Sequence, residues 1–392
     1  MSGADPRLLD FAATDRQREF IQAVIDHGSQ RAAAKATGVH KKTIHSALDA
    51  ARKRAARQGY SPDHDMTRPV APGFTLRGTS TLYDKGGVVA LQWVKTTRDH
   101  QAQHDAMIAA AEAMAEELPR VAPVTQPAGT DAELLNAYTV SDLHVGMLAW
   151  RHEAGSDWDL SQAERILIGC FSRMVASAPS ADGAVVALLG DFLHWDGLEA
   201  VTPTSRNILD ADGRFSKVVP AAIRLIRTVV DMALAKHGRV RLLIAEGNHD
   251  LASSVWLRHM FSALYDAEPR LIVNTSPAPF YAYQHGRTML GYHHGHTVKP
   301  ASIGQVMATE FPAIWGATTY RYVHMGHRHS SEVREPPGIV VEQHQTLAAR
   351  DAYASRHGYH AQRGAVGVTY HREYGEVGRV VVRPEMAMPR DA

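Results

Sequence analysis

The sequence predicts an α/β layered protein preceded by a small all-α unit, and three observations carry that expectation. From about residue 131 onward, apolar runs of strand length alternate with helical stretches, the pattern of a buried sheet covered by helices. Before residue 60 the apolar residues recur at helical spacing instead, as in Phe20, Ile21, Val24 and Ile25. At 392 residues, 45% hydrophobic and 21% charged, the chain has the length of two or three domains and an ordinary globular composition. That composition excludes wholesale disorder and a collagen-like chain. A single cysteine, Cys170, rules out an intramolecular disulfide and a Cys-based zinc site, and no disulfide-linked partner is expected. MSGADPRLLD lacks a basic stretch leading into an apolar core, and no run of about 18 apolar residues occurs, so the expectation is a cytoplasmic protein with no membrane contact.

Residues 1–60 read as three helices. Thr14 with Gln17 three residues later forms a capping-box signature, Gly28 stops the first helix, and Ser29 caps a second through Ala32, Ala33 and Ala36. Thr37-Gly38-Val39 makes a tight turn before a third helix, which starts near His40 and turns Ile44, Ala47, Leu48 and Ala51 inward. From Ser29 to Arg57 the chain carries +7 against a whole-chain total of +1, a local excess that points to a polyanionic partner. The string SQRAAAKATGVHKKTIHSAL resembles the helix-turn-helix of many bacterial and phage DNA-binding proteins. The resemblance makes DNA the expected partner and Lys41, Lys42, Thr43, His45, Arg52 and Arg54 the expected contacts. An Ala-rich module that joins two copies into a homodimer is the alternative. Residues 61–130 read as linker with a β-hairpin turning at Asp84-Lys85-Gly86-Gly87 and a helix from about His100 to Leu118.

Residues 131–392 carry the chemistry. Five apolar runs each end in polar residues able to bind a metal: Asp142 and His144, then Gly190-Asp191, then Gly247-Asn248-His249-Asp250, then His293-His294-Gly295-His296, and last Gly326-His327-Arg328-His329. In open α/β sheets ligands bind beyond the carboxyl ends of the strands, where all five clusters fall. Carboxylate, imidazole and amide oxygen together suit divalent metals of intermediate hardness. The ordered set D-x-H, G-D, G-N-H-D, H-G-H, G-H-x-H resembles the calcineurin-like metallophosphoesterase superfamily, whose fold is a β-sandwich flanked by helices. The resemblance implies two divalent metal ions, Mn(2+) foremost, with Fe, Ni, Co or Zn as alternatives. It assigns Asp142, His144, Asp191 and His329 to one metal and Asp191, Asn248, His294 and His327 to the other, with Asp191 shared. His293 and His296 are rivals to His294 for that place. A metal pair about 3.5–4 Å apart lowers the pKa of a shared water and clamps phosphoryl oxygens. His249 would face the leaving oxygen, and Asp250 would fix its ring.

His194, three residues after Asp191, matches a histidine of the Mre11/SbcD-like nuclease branch that approaches the substrate phosphate. Where protein phosphatases of the superfamily carry GDxxDRG, Trp195-Asp196-Gly197 stands here without the arginine that grips a monoester dianion. The polar stretch 201–215 reads as a surface loop or a substrate lid, with Arg206 or Arg214 touching phosphate. Residues 331–392 read as further strands, and histidines outside the motifs, His324 among them, as surface or packing residues. The expected function is hydrolysis of DNA diesters by a phage- or prophage-like protein. The alternatives are a phosphomonoesterase or cyclic-nucleotide phosphodiesterase, and a metal-sensing DNA-binding regulator.

Overall fold

Thr14 begins the first helix as its spacing to Gln17 predicts: the hydroxyl accepts the Gln17 N–H at 3.1 Å, and the Gln17 amide oxygen accepts the Ala13 N–H at 2.9 Å. This helix, α1 (Asp15–His27), ends where Gly28 turns left-handed at φ 69°, and Ser29 caps α2 (Gln30–Thr37) through the Ala32 N–H. After Gly38, α3 (Lys41–Arg57) packs Ile44, Leu48 and Ala51 against Phe20, Ile21 and Val24 of α1. The face of α2 differs from expectation: Ala33 and Ala34 are buried, Ala36 exposed, because four alanines in eight residues leave the apolar stripe undefined.

The computed structural model describes residues 4–58, 60–62, 66–67, 74–83, 89–98 and 123–387. The chain divides into two units, Met1–Ala106 and Met107–Ala392. The first also holds a small ribbon of β1 (Tyr60–Ser61) and β2 (Met66–Thr67), and an antiparallel pair of β3 (Phe74–Tyr83) and β4 (Val89–Arg98). The turn expected at 84–87 and the helix expected at 100–118 lie outside the described residues.

The second unit is a mixed α/β structure built on two sheets. The first sheet, in the order β15-β14-β5-β6-β7-β8, contains β5 (Asp131–Val140), β6 (Ala181–Leu188), β7 (Arg239–Ile244) and β8 (Leu271–Val273) as parallel neighbours. Antiparallel β14 (Ala365–His371) and β15 (Gly375–Val382) extend it on the β5 side. The second sheet, in the order β12-β13-β11-β10-β9, comprises β9 (Tyr281–His285), β10 (Thr288–His293), β11 (Tyr320–Met325), β12 (Glu332–Arg334) and β13 (Val340–Gln343). Its central strands β10, β11 and β13 are parallel.

Burial on both faces explains why AVVAL in β6 is uninterrupted by polar residues. One face meets Leu290, Tyr292 and Tyr281 of the second sheet. The other packs on α5 (Leu160–Ser177), α6 (Phe215–Lys236) and α7 (Leu251–Leu264), the one-turn α4 (Arg151–Ala154) lying just before them in the chain. On the outer face of the second sheet, Met289, Val323 and Val341 contact residues of α8 (Ile303–Glu310) and α9 (Pro312–Ala317). The order is helix, sheet, sheet, helix. Among the described residues no helix is long and apolar enough to cross a membrane.

Candidate metal centre

Register brings the five motifs together. In the first sheet Val140 of β5 stands opposite Leu188 of β6, and Leu188 opposite Ile244 of β7, so their carboxyl ends finish level. In the second, His293 of β10 pairs with Met325 of β11. Backbone bonds then tie the loops to one another: the Asp142 N–H donates to Gly190 O, the His144 N–H to Asp191 O and the Gly326 N–H to His294 O. The chain is bent to do this. Six non-glycine residues among those described have positive φ, and five of them are Asp142, His144, Asp191, His327 and His329. Such conformations cost on the order of 1 kcal/mol each for residues with a Cβ, and they persist where surrounding structure enforces them.

Two donor sets that include a carboxylate result, beside an all-imidazole group of His144, His194 and His249. In the first, His329 Nε2 lies 3.2 Å from Asp142 Oδ1 and 3.4 Å from His144 Nε2. In the second, His294 Nε2 lies 3.2 Å from Asp191 Oδ2 and 3.3 Å from Asn248 Oδ1, with a nitrogen of His327 within 4.8 Å of the Asp191 and His294 donors. His294 rather than its neighbours enters the set because its Nδ1 is held 2.7 Å from Leu189 O, which aims Nε2 at the carboxylate. His293 stacks on Phe280, and its Nε2 lies 3.0 Å from Thr297 Oγ1. The donors fit a divalent cation: Nε2 of His144 and of His329 face each other beside ionised oxygens, and a neutral imidazole has one N–H to offer.

Electrostatics follow from the pairing. Burial disfavours charge on Asp142 and Asp191, yet His329 and His294 beside them more than offset it and hold both carboxyls below the usual range. Burial likewise opposes a proton on His294, but Asp191 outweighs it and pushes the ring up to about 10. Burial and neighbouring imidazoles push His144 down, and His194 down to about 3. Two glycines are required by close approach. A Cβ on Gly190 would sit 2.6 Å from His294 Nδ1, and one on Gly247 would overlap Asp191 Oδ1 and its backbone nitrogen.

His249 lies beside both sets without joining either carboxylate pair. Its N–H donates to Asp191 Oδ1 at 2.8 Å, its Nδ1 lies 2.7 Å from His194 O, and its ring stacks on His194 at 5.4 Å. The ring is thus held by a backbone carbonyl, not by Asp250 as expected from sequence. Asp250 instead accepts the N–H groups of Asp191, Phe192, Leu193 and Gly247, and so fixes the loops that carry Asp191 and Asn248. His194 is buried, with Nδ1 3.2 Å from His144 Nδ1. Trp195 is core, and Asp196 accepts the Ala252 and Ser253 N–H groups at the start of α7.

A cleft of about 720 Å³ opens over the donors. Arg206 and Arg214 are not among its lining residues: Arg206 pairs with Glu199 at 2.5 Å, and Arg214 sits exposed before α6. The cations on the wall are Lys299, Arg328, Arg350 and Arg363, which sequence reasoning passed over although RDAYASRHGYHAQR (350–363) is rich in basic and aromatic residues. A further buried group, His324, Glu342 and His344, is internally paired: His324 Nδ1 lies 2.8 Å from His344 Nε2, and Glu342 meets Arg379. In the N-terminal unit Lys41, Lys42, Thr43, His45 and Arg52 are exposed along α3. Arg54 departs from expectation, because its Nε donates to Phe11 O at 2.7 Å and its guanidinium also meets Gln17, which leaves it bracing the helices.

Two outcomes are expected. Gly247→Ala should displace Asp191 and lower the metal bound per chain, read by elemental analysis, with the far-ultraviolet circular dichroism unchanged; full metal content would show that this glycine does not position the ligand. Because His294 is raised, its proton is present at neutral pH without metal and must leave as metal arrives. Metal affinity should therefore climb with pH between about 6 and 9, and calorimetry in buffers of different ionisation enthalpy should register protons released. Release of none would place the metal elsewhere.

No protein-family model matches the chain, and no curated protein does. Among solved structures the chain is similar to YfcE, a phosphoesterase from E. coli, at 16% identity and a TM-score of 0.31, over 62% of this chain and 98% of that one. It is also similar to an archaeal phosphodiesterase, at 14% identity and a TM-score of 0.32, over 63% of this chain and 99% of that one. A predicted phosphoesterase from Streptococcus pneumoniae aligns at 11% identity and a TM-score of 0.28, over 64% and 99%. Likenesses this low carry no weight for the assignment, which rests on the donors and their surroundings.

Proposed function

We propose that the chain is a two-metal phosphodiesterase that hydrolyses DNA. The observation that carries this reading is the pair of carboxylate-containing donor sets drawn from five strand ends, with His249, which joins neither of them, alongside. A structural or sensing site has no use for that histidine. Bound metals would activate water and neutralise phosphoryl oxygens, with Asp142, His144 and His329 holding one and Asp191, Asn248, His294 and His327 the other. Asp191 is assigned to both.

The chain's own contribution centres on His249. With Nδ1–H donated to the His194 carbonyl, Nε2 is the nitrogen left to the cleft, and in the protonated ring it carries the proton. As water adds to phosphorus and the ester bond breaks, the leaving oxygen takes that proton. His194 positions this ring by stacking and by its carbonyl, and Asp250 holds the Asp191 loop. Diesters are favoured because Trp195-Asp196-Gly197 brings no guanidinium to the phosphate. Arg328, between His327 and His329 in the chain, and Arg350 also line the cleft, so the monoester comparison is the discriminating measurement.

DNA enters the reading through the N-terminal unit. Support comes from the +7 segment and from Lys41, Lys42, Thr43, His45 and Arg52 exposed along one helix after a glycine turn.

Asp191→Asn should lose bound metal and turnover of bis-p-nitrophenyl phosphate together. His249→Ala should keep its metal and lose roughly 10²–10⁴-fold in kcat. Wild-type kcat/KM should be higher on bis-p-nitrophenyl phosphate than on p-nitrophenyl phosphate; the reverse order, with no cleavage of any DNA, would make the chain a phosphomonoesterase. For the N-terminal unit, Lys41→Ala with Lys42→Ala should flatten the log–log salt dependence of DNA affinity by about 0.9 for each phosphate no longer neutralised. An unchanged slope would leave α3 as an oligomerisation element.

A further inference from the structure

We infer that the loop 347–363 is a base-stacking wall, so that the strand entering the cleft is single-stranded DNA. The inference rests on the phosphodiesterase reading for the reaction but on different residues for its substrate.

The loop contains α10 (Ala352–Arg356), capped by Asp351 through the Ala354 N–H at 2.7 Å. Tyr353 and Tyr359 are 61% and 59% exposed, and both line the cleft that also holds Asp191, Asn248 and His249. His357 touches both: its ring centroid is 4.1 Å from that of Tyr353, tilted by 36°, and 5.7 Å from that of Tyr359, nearly parallel at 22°, while the two tyrosine centroids are 6.4 Å apart and tilted by 57°. Two tyrosine rings of one aromatic cluster are thus presented to solvent in the cleft that holds the candidate metal ligands.

The loop that carries the rings is held in place. His357 Nδ1 lies 2.8 Å from Tyr353 O, the Tyr359 N–H donates to Ala354 O at 2.9 Å, and Arg356 meets Glu153 at 3.3 Å. At the base of the loop, Arg363 donates to Leu347 O at 2.9 Å and covers the buried ring of Trp158 at 5.2 Å. These bonds anchor the backbone that carries the rings.

Charge completes the match. Lys299, Arg328 and Arg350 line the same cleft, as a backbone of phosphates requires. Cationic wall and aromatic face together are the two elements that bind single strands without reading sequence. A base in a duplex is stacked on its neighbours and offers no face to Tyr353 or Tyr359.

The test compares octathymidylate, the same strand with abasic central positions, and a blunt duplex of equal length, using the full chain. Tyr353→Ala with Tyr359→Ala should lower kcat/KM for octathymidylate relative to that for bis-p-nitrophenyl phosphate by on the order of 10- to 100-fold. The Phe pair should restore it, and the abasic strand should show wild type and the Ala pair alike. In EDTA, fluorescein-labelled octathymidylate should bind the Ala pair more weakly by fluorescence anisotropy, measured in a Lys41→Ala, Lys42→Ala background so that the N-terminal unit does not mask the cleft. Equal anisotropy curves for both proteins, or the same loss on duplex as on single strand, would overturn the stacking wall. If wild type cleaves no phosphodiester, the reaction assignment falls, while the anisotropy comparison still decides the wall.

Discussion

Asp142 and Asp191 are buried carboxylates close enough to raise one another's charge cost, on loops joined by a backbone bond where the ends of two sheets meet, and the surrounding structure answers that constraint. Ionised groups out of water need charge of the opposite sign and hydrogen-bond donors. His329 and His294 supply the first, and the backbone N–H groups of His327 and His249 supply the second. A site that must neutralise two anions with imidazoles when empty is already arranged to exchange their protons for metal ions. The layered form answers the same demand, since only level strand ends in both sheets bring these groups together.

Around this centre the supporting residues divide by what they hold. Asp250 binds four backbone N–H groups and sets the loops that carry Asp191 and Asn248. His194 contributes a carbonyl and a ring face to His249 and a nitrogen to His144. Neither needs to touch substrate to matter. Altering either would move a donor rather than remove one.

Much of this is legible in the sequence, and the reason is locality. Each motif directly follows an apolar run, which marks it as a strand end, and it is the family resemblance carried by the order of the motifs that singles out Asp142, His144, Asp191, Asn248, His294, His327 and His329 among their neighbours. Partner choice across long separations is not legible. Nothing near Arg54 indicates that it braces Phe11, and the adjacency of His249 and Asp250 suggests a pair that their geometry does not make. The strands expected in 331–392 are present, but β13 joins the second sheet while β14 and β15 join the first, a division set by packing rather than by composition. The loop 347–363 has no periodicity, and only its aromatic and basic content marks it.

The left-handed backbone at five of the donors has a consequence for how such a protein changes over time. Glycine would relieve the strain at each of those positions, so selection for thermal stability alone, in a screen or in a lineage that no longer uses the activity, would favour replacing the donors. Keeping those side chains in that conformation is maintained against stability, and their loss would be among the first marks of a chain released from its chemistry.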